Sequence, residues 1–177
     1  MKSKRYWYVF VRYLILIFLG LGNLTAFYFV FTPLTVAPVF WVISLFDGGA
    51  KLLEGNLLYF SGYYAEIIPA CIAGAAYYLL LILNLTTPME LKKRMHSILL
   101  LFGMFLTLNI LRILIFSYLL VFGYEVFDFA HRFTWYFGST ALVILIWFGN
   151  VWMLKIKEIP VYSDFKKLFG EIFRKAR

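Results

Sequence analysis

The chain has 177 residues, of which 63% are hydrophobic and only 15% are charged, and its mean hydropathy is +0.84. A soluble domain is about 45–50% apolar and about 25% charged, so lipid must cover part of this apolar surface. The single cysteine excludes an intramolecular disulfide and a multi-cysteine metal site. The composition therefore predicts an all-α integral membrane protein.

Four apolar segments are long enough to cross a bilayer, which requires about 20 residues. They cover residues 6–31, 64–85, 97–122 and 132–154. The first is too long for the apolar region of a signal peptide, and no small-residue cleavage site follows it, so we expect a retained helix. The sequence predicts a bundle of about four transmembrane helices.

Three further segments have weaker patterns. Residues 33–46 include Pro38 and are too short to cross easily, which favours an interfacial or re-entrant segment. Gly55-Asn56 between leucine-rich flanks indicates an outer hairpin that ends near Tyr64. Apolar residues at helical spacing among basic ones predict a C-terminal amphipathic helix. We therefore divide the chain into a transmembrane domain, residues 1–158, and a cytoplasmic basic tail, residues 159–177.

The basic residues predict the orientation of the bundle. Of the 17, fourteen fall on one side of the membrane if four helices cross. They are four at the N-terminus, three in the second loop and seven in the tail: Lys2, Lys4, Arg5, Arg12, Lys92, Lys93, Arg94, Lys155, Lys157, Lys166, Lys167, Arg174, Lys175 and Arg177. By the positive-inside rule both termini are cytoplasmic. This pattern explains the net charge of +8 as a membrane signal, and we expect no nucleic-acid partner.

Cys71 and Arg112 lie within the predicted membrane helices. They are 14 and 15 residues from the cytoplasmic ends of consecutive antiparallel helices, or about 21 and about 22 Å. The two side chains are therefore expected at similar depth. A lone cysteine is usually a packing residue and an arginine can snorkel to the interface, yet ionisable groups inside a membrane are generally functional.

His131 lies at the outer end of the fourth predicted helix, on the same side as Cys71 and Arg112. Alone, it is more simply interpreted as a solvated interfacial residue. A thiol needs a nearby base or cation to react as a thiolate near neutral pH. His131 can supply the base, and Arg112 can stabilise a thiolate or an oxyanion. Together the three residue types predict acyl transfer at the outer membrane interface.

The ordered combination resembles the exosortase/archaeosortase family over residues 33–147. Three features carry the resemblance: Cys71 within the segment IIPACIAG, an Asn-x-x-Arg motif at Asn109 and Arg112, and His131 beyond it. The chain departs from many members after the cysteine, where they have Ser-Gly and this chain has Ile-Ala-Gly. Some members use an arginine in the third position, which makes Arg132 an alternative to His131.

The resemblance implies a membrane-embedded cysteine transpeptidase at the plasma membrane, with its site near the extracytoplasmic face. The implied catalytic residues are Cys71, Arg112 and His131, and the predicted substrate-binding residues are Glu66, Asn109 and Arg132. Substrates would be exported proteins with a C-terminal motif, a transmembrane helix and a basic tail. Membrane lipids or similar amines would be the acceptors, and no metal or other cofactor is expected.

Two other functions are compatible with the sequence. A non-enzymatic subunit, such as a transporter accessory or assembly protein, would use Arg112 structurally. An intramembrane hydrolase would cleave without transfer, because water and an amine resolve the same acyl-enzyme. The inverted repeat that is typical of transporters is not visible in the sequence.

Overall fold

A computed structural model describes residues 2–158 and Pro160 of the chain, so the predicted amphipathic tail lies outside the described residues. The described part is mostly helical and contains one small antiparallel sheet. In chain order the elements are α1 (Lys2–Leu21), α2 (Thr25–Phe46), β1 (Lys51–Leu53), β2 (Leu57–Phe60), β3 (Tyr63–Glu66), α3 (Pro69–Ile72), α4 (Gly74–Thr86), α5 (Leu91–Phe122), α6 (Tyr124–Phe133) and α7 (Ser139–Met153).

Within the described residues, three stretches of helix are long and apolar enough to cross a membrane: α2, the α3–α4 segment Pro69–Thr86, and α5. Two further apolar helices are shorter, at Trp7–Leu21 and Ser139–Met153. The mostly helical architecture agrees with the sequence prediction, whereas the antiparallel sheet departs from the predicted all-α fold. The count of four crossings and the orientation of the termini stay predictions.

The first predicted helix, residues 6–31, is wrong in its bounds. α1 ends at Leu21, and a short turn precedes α2, with positive φ at Asn23 (49°) and Leu24 (59°). Thr25 closes the turn by donating its N–H and its hydroxyl to the carbonyl of Gly22, at 3.0 and 2.7 Å. Asparagine tolerates this left-handed conformation, whereas Leu24 adopts it against its intrinsic preference.

The interfacial or re-entrant segment predicted for residues 33–46 is also wrong, because these residues complete α2. Pro33 and Pro38 lie inside this 22-residue helix. Each proline leaves one carbonyl, four residues earlier, without its helical N–H donor. Membrane helices tolerate such prolines because neighbouring groups and small adjustments of the helix satisfy the freed carbonyls.

The predicted outer hairpin is part of a three-stranded antiparallel sheet of order β1-β2-β3. Gly55 (φ 73°) and Asn56 (φ 65°) form the turn before β2. Ser61 (φ 48°) and Gly62 (φ 85°) form the two-residue turn between β2 and β3, with positive φ at both positions as in a type I′ turn. The second predicted membrane segment, residues 64–85, therefore begins after β3 and not at Tyr64.

Asp47 fastens this sheet to the end of α2. Its carboxylate accepts hydrogen bonds from the N–H of Gly49 and from both the N–H and the hydroxyl of Ser61. These bonds, first that from Gly49, hold the pKa of Asp47 below its ordinary value. The β2–β3 turn is thus fixed to the C-terminus of α2.

An aromatic cluster joins α2, α4 and α5. The rings of Phe31 and Tyr77 stack with centroids 3.6 Å apart, while Phe102 and Phe105 contact Tyr77 edge-on at 5.5 and 4.7 Å. Tyr77 and Phe105 are fully buried. Such pairs contribute about 0.5–1.5 kcal/mol each beyond the area they bury. They hold α4, which follows Cys71, against α5.

A second buried cluster, the polar junction, joins α4, α5 and α7. Arg94 donates through Nη1 to the carbonyl of Asn84 at 2.6 Å and through Nη2 to that of Thr87 at 2.9 Å. Ser97 Oγ accepts from the side-chain amides of Asn84 and Asn150, at 2.6 and 2.9 Å. Because buried amides and carbonyls are costly without partners, this junction stabilises one specific packing of the three helices.

The polar junction also corrects the predicted start of the third helix. Its predicted first residue was Ser97, whereas α5 begins at Leu91, so His96 is helical and exposed and not part of a loop. Arg94, counted among the loop charges, is only 7% exposed. Its guanidinium donates to two carbonyls at the end of α4, of which that of Asn84 also accepts the N–H of Thr87 at 3.3 Å.

Candidate functional site

The helix that carries Cys71 is broken two residues after it. Ala73 adopts the left-handed conformation (φ 58°, ψ 46°) between α3 and α4. This conformation costs about 1–2 kcal/mol for a residue other than glycine. In an uninterrupted helix the Cys71 carbonyl would accept the N–H four residues later, so the break leaves this carbonyl to other donors.

Two side chains of α5 donate hydrogen bonds to the Cys71 carbonyl. Asn109 donates through Nδ2 at 2.8 Å, and Arg112 donates through Nη2 at 3.4 Å. Arg112 also donates through Nη1 to Ser139 Oγ at 2.9 Å, which connects α3 to α7. Asn109 is fully buried, whereas Arg112 is half-buried. The Asn-x-x-Arg spacing places both donors on the face of α5 that meets the break, since residues three apart lie on one side of a helix.

The break is packed closely against α2. A Cβ added to Gly74 would lie 2.9 Å from ring carbons of Tyr28, a distance that side-chain atoms do not adopt. Glycine at this position lets the tyrosine ring lie directly on the backbone of α4. Tyr28 thereby forms one wall of the space beside Cys71.

A cavity of about 560 Å³ opens beside the break. Its lining includes Cys71, Arg112 and His131, the three predicted catalytic residues, together with Glu66 from β3. Most of the remaining wall is apolar, including Leu58, Pro69, Ile113, Phe116 and Phe127. A cavity of this size, with few polar groups in an apolar lining, is typical of sites that bind small molecules or peptide segments.

His131 reaches the cavity from α6, where two phenylalanines hold its ring. The imidazole stacks on Phe127 with centroids 5.6 Å apart and meets Phe116 edge-on at 5.5 Å. Phe116 belongs to α5, so these contacts connect α6 to the helix that carries Arg112. The ring is therefore fixed beside the cavity by packing on two sides.

A π-helical turn, Thr134–Gly138, separates α6 from α7. The N–H of Ser139 donates to the carbonyl of Thr134, five residues earlier. A π-turn holds one more residue than an α-turn. This extra residue lets His131 and Ser139, eight residues apart, line the same cavity.

The predicted substrate-binding residues have different positions. Glu66 lines the cavity and is exposed. Asn109 is buried behind Cys71, where its amide bonds to the protein itself. Arg132 does not line the cavity: it is 75% exposed and pairs with Asp128 at 3.1 Å. Asp128 is itself 70% exposed, so this ion pair lies at the surface.

Sequence reasoning missed Ser139 as a hydrogen-bond partner of Arg112. An arginine within an apolar helix needs polar partners on the helices that face it. Ser139 is among the few polar residues of the facing helix, and that scarcity was the available signal. The break at Ala73 had no such signal, because alanine favours a continuous helix.

The site combines a thiol, an imidazole and a guanidinium around one apolar space. Among the described residues, no three His, Cys, Asp or Glu side chains lie together as a metal site would need. No family model, curated protein or solved structure matches the chain. What the chain does must therefore be inferred from the chemistry of this cavity.

Proposed function

We propose that the chain is a membrane-embedded cysteine transpeptidase that cleaves a C-terminal sorting signal of exported proteins and transfers them to an amine of a membrane lipid or a similar acceptor. The supporting observation is the common lining of Cys71, Arg112 and His131 around one cavity. Residues from three separate segments come together there, in a combination that provides a nucleophile, a base and a permanent cation.

The reaction begins when the Cys71 sulfur attacks the carbonyl carbon of the scissile peptide bond, while the thiol proton passes to His131. The tetrahedral intermediate collapses as the C–N bond breaks and His131 returns the proton to the leaving amine. The products are a thioester on Cys71 and the released C-terminal segment. An acceptor amine then attacks the thioester, loses a proton to His131 and expels the thiolate, which takes that proton back.

Arg112 has two parts in this scheme. Its Nη atoms bond to Ser139 and to the Cys71 carbonyl, and these bonds position the guanidinium. Its Nε is buried and, among the described residues, lacks a hydrogen-bond partner. The fixed positive charge of the guanidinium at the cavity wall stabilises negative charge as it develops on the intermediate. Asn109 acts as a positioning residue through the same carbonyl.

The proposal is tested in membranes of a host that produces the chain, by mass spectrometry of the C-termini of exported proteins. Wild type is expected to yield shortened substrates that carry an added amine, whereas Cys71→Ser and His131→Ala leave the terminal helix and basic tail in place. Ser117→Ala is a matched control. Ser117 also lines the cavity, but its hydroxyl donates to the carbonyl of Ile113 in its own helix, at 3.0 Å.

Three results separate the alternatives. Shortened products without added mass would identify hydrolysis, because water then resolves the thioester. Hydroxylamine should release substrate from Cys71 if the thioester forms, since it attacks thioesters readily. Normal processing in Cys71→Ser would refute the enzyme and favour a non-enzymatic membrane subunit.

A further inference from the structure

The sheet beside the cavity has one edge that is free and faces the site. β2 is the central strand, and β3 pairs only with β2. The other edge of β3 makes no backbone hydrogen bond to another element in the described part of the chain. Tyr64, Ala65 and Glu66 of this strand line the cavity, whereas no residue of β1 does.

The register shows which backbone groups of β3 point away from β2. In a hairpin with a two-residue turn, the residues that flank the turn form a hydrogen-bonded pair, and hydrogen-bonded and non-bonded pairs alternate from there. Phe60 and Tyr63 flank the turn, so the N–H and C=O groups of Tyr64 and Glu66 point outward. The hydrogen bond from Ile67 N–H to the carbonyl of Asn56, at 3.1 Å, fits this alternation.

Two donors and two acceptors thus lie in a row at the cavity rim, just before the short helix that carries Cys71. A free strand edge is a template for another extended chain, and proteins usually cover or charge such edges. Here the edge borders an apolar space and carries one charged side chain, Glu66. A peptide that pairs with it would enter the cavity already extended, with its backbone exposed to the thiol.

We propose that the free edge of β3 is the docking site for the extended recognition segment of the substrate, which adds to the sheet as a fourth strand. This deepens the proposed function and rests on it. Main-chain hydrogen bonds to Tyr64 and Glu66 give affinity, and the cavity walls select the side chains of alternate peptide residues. The scissile bond then lies beside Cys71, five residues beyond Glu66.

The test uses the Cys71→Ser chain in lipid nanodiscs, where binding is separated from chemistry. A fluorescent library of capped octapeptides is presented, and the retained sequences are measured by anisotropy. Each peptide is then N-methylated at one position at a time. Strand addition predicts a period of two, in which methylation of every second residue weakens binding about tenfold or more, since those N–H groups bond to β3.

Protein variants check the same edge. Tyr64→Pro removes an outward N–H without a loss from the β2–β3 ladder, and it is expected to bind about tenfold more weakly than Tyr64→Ala, which lacks the ring but keeps the N–H. Leu52→Pro is the matched control. The β1–β2 register points its N–H outward on the opposite edge of the sheet, so binding should not change.

The outcomes are distinct. A period-two pattern together with weak binding only in Tyr64→Pro supports docking on β3. The absence of retained peptides, methylation effects without a period, or equal losses in Leu52→Pro would overturn it. If Tyr64→Pro does not fold, the methylation scan decides alone. Peptide docking without thioester formation in wild type would retain the docking site and refute the proposed chemistry. Processing that is unchanged in Tyr64→Pro would refute the docking site and retain the proposed chemistry.

Discussion

Replacing Asn109 by leucine should separate the positioning of Cys71 from the stability of the fold. Asn109 makes one hydrogen bond, to the Cys71 carbonyl at 2.8 Å, and its buried Oδ1 has no partner in the described residues. Loss of the bond leaves that carbonyl with the 3.4 Å contact to Arg112, at a cost of about 1–3 kcal/mol. Removal of the unpaired Oδ1 stabilises the folded state by a similar free energy, because a buried acceptor without a partner no longer has to be desolvated. The net change in the free energy of unfolding should be within about 1 kcal/mol.

The activity should respond very differently. Without the amide, the helix break no longer holds the thiol in one place, and a displacement of about 1 Å lowers rates by about 10²-fold. The assay is the processing rate of a sorting-signal substrate, titrated so that the effect on kcat is separated from that on KM. We expect the loss in kcat, because the reacting atoms are displaced. Alkylation of Cys71 by a thiol reagent, followed in parallel, should also change in rate.

Asn150→Leu is the matched control for this experiment. Asn150 is also fully buried, makes one bond through Nδ2 at 2.9 Å and has an unpaired Oδ1 among the described residues. It belongs to the polar junction, away from the cavity lining. Equal losses of activity in both variants, or a rate in Asn109→Leu within threefold of wild type, would refute the positioning role.

Three further predictions concern the supporting structure. Because the fold lowers the pKa of Asp47, its carboxylate stabilises the sheet above about pH 4, and this contribution is lost as pH falls through the folded-state value. The protection of the sheet amides, measured as hydrogen exchange relative to the intrinsic rate at each pH, should therefore fall in acid, except in Asp47→Asn. Gly74→Ala should destabilise by about 1–3 kcal/mol through its clash with Tyr28, with partial recovery in combination with Tyr28→Leu, measured by denaturant unfolding. Arg94→Lys keeps the charge but replaces the planar guanidinium, whose two Nη atoms reach different carbonyls, with a single ammonium nitrogen, so the unfolding free energy should fall by about 1–3 kcal/mol.

The fold could be predicted where apolar length decides the structure. α5 and the α3–α4 segment follow from continuous apolar runs between charged or turn residues. α2 could not be predicted, because Pro33 and Pro38 indicate a break by rules that apply to helices in water. The true break, at Asn23 and Leu24, falls within an apolar run whose length suggested one helix.

The residues of the candidate site could be predicted from the sequence, but the contacts between them could not. A rise of about 1.5 Å per residue placed Cys71 and Arg112 at similar depth, and the structure connects them through the Cys71 carbonyl. The contact depends on the left-handed turn at Ala73, which local propensity opposes and tertiary packing imposes. The position of Asn109 behind the cysteine depends on the same turn, so it could not be predicted from the sequence either.

The π-turn decides which of two neighbouring basic side chains belongs to the cavity. His131 and Ser139 are eight residues apart, about 80° around a regular α-helix, but absorbing one residue in the π-turn reduces this to about 20°. In an uninterrupted α-helix, Arg132 would take the orientation that His131 has here, and a permanent cation would replace a proton carrier. The choice between imidazole and guanidinium is thus encoded in the pitch of five residues, Thr134–Gly138, without any change in the side chains themselves.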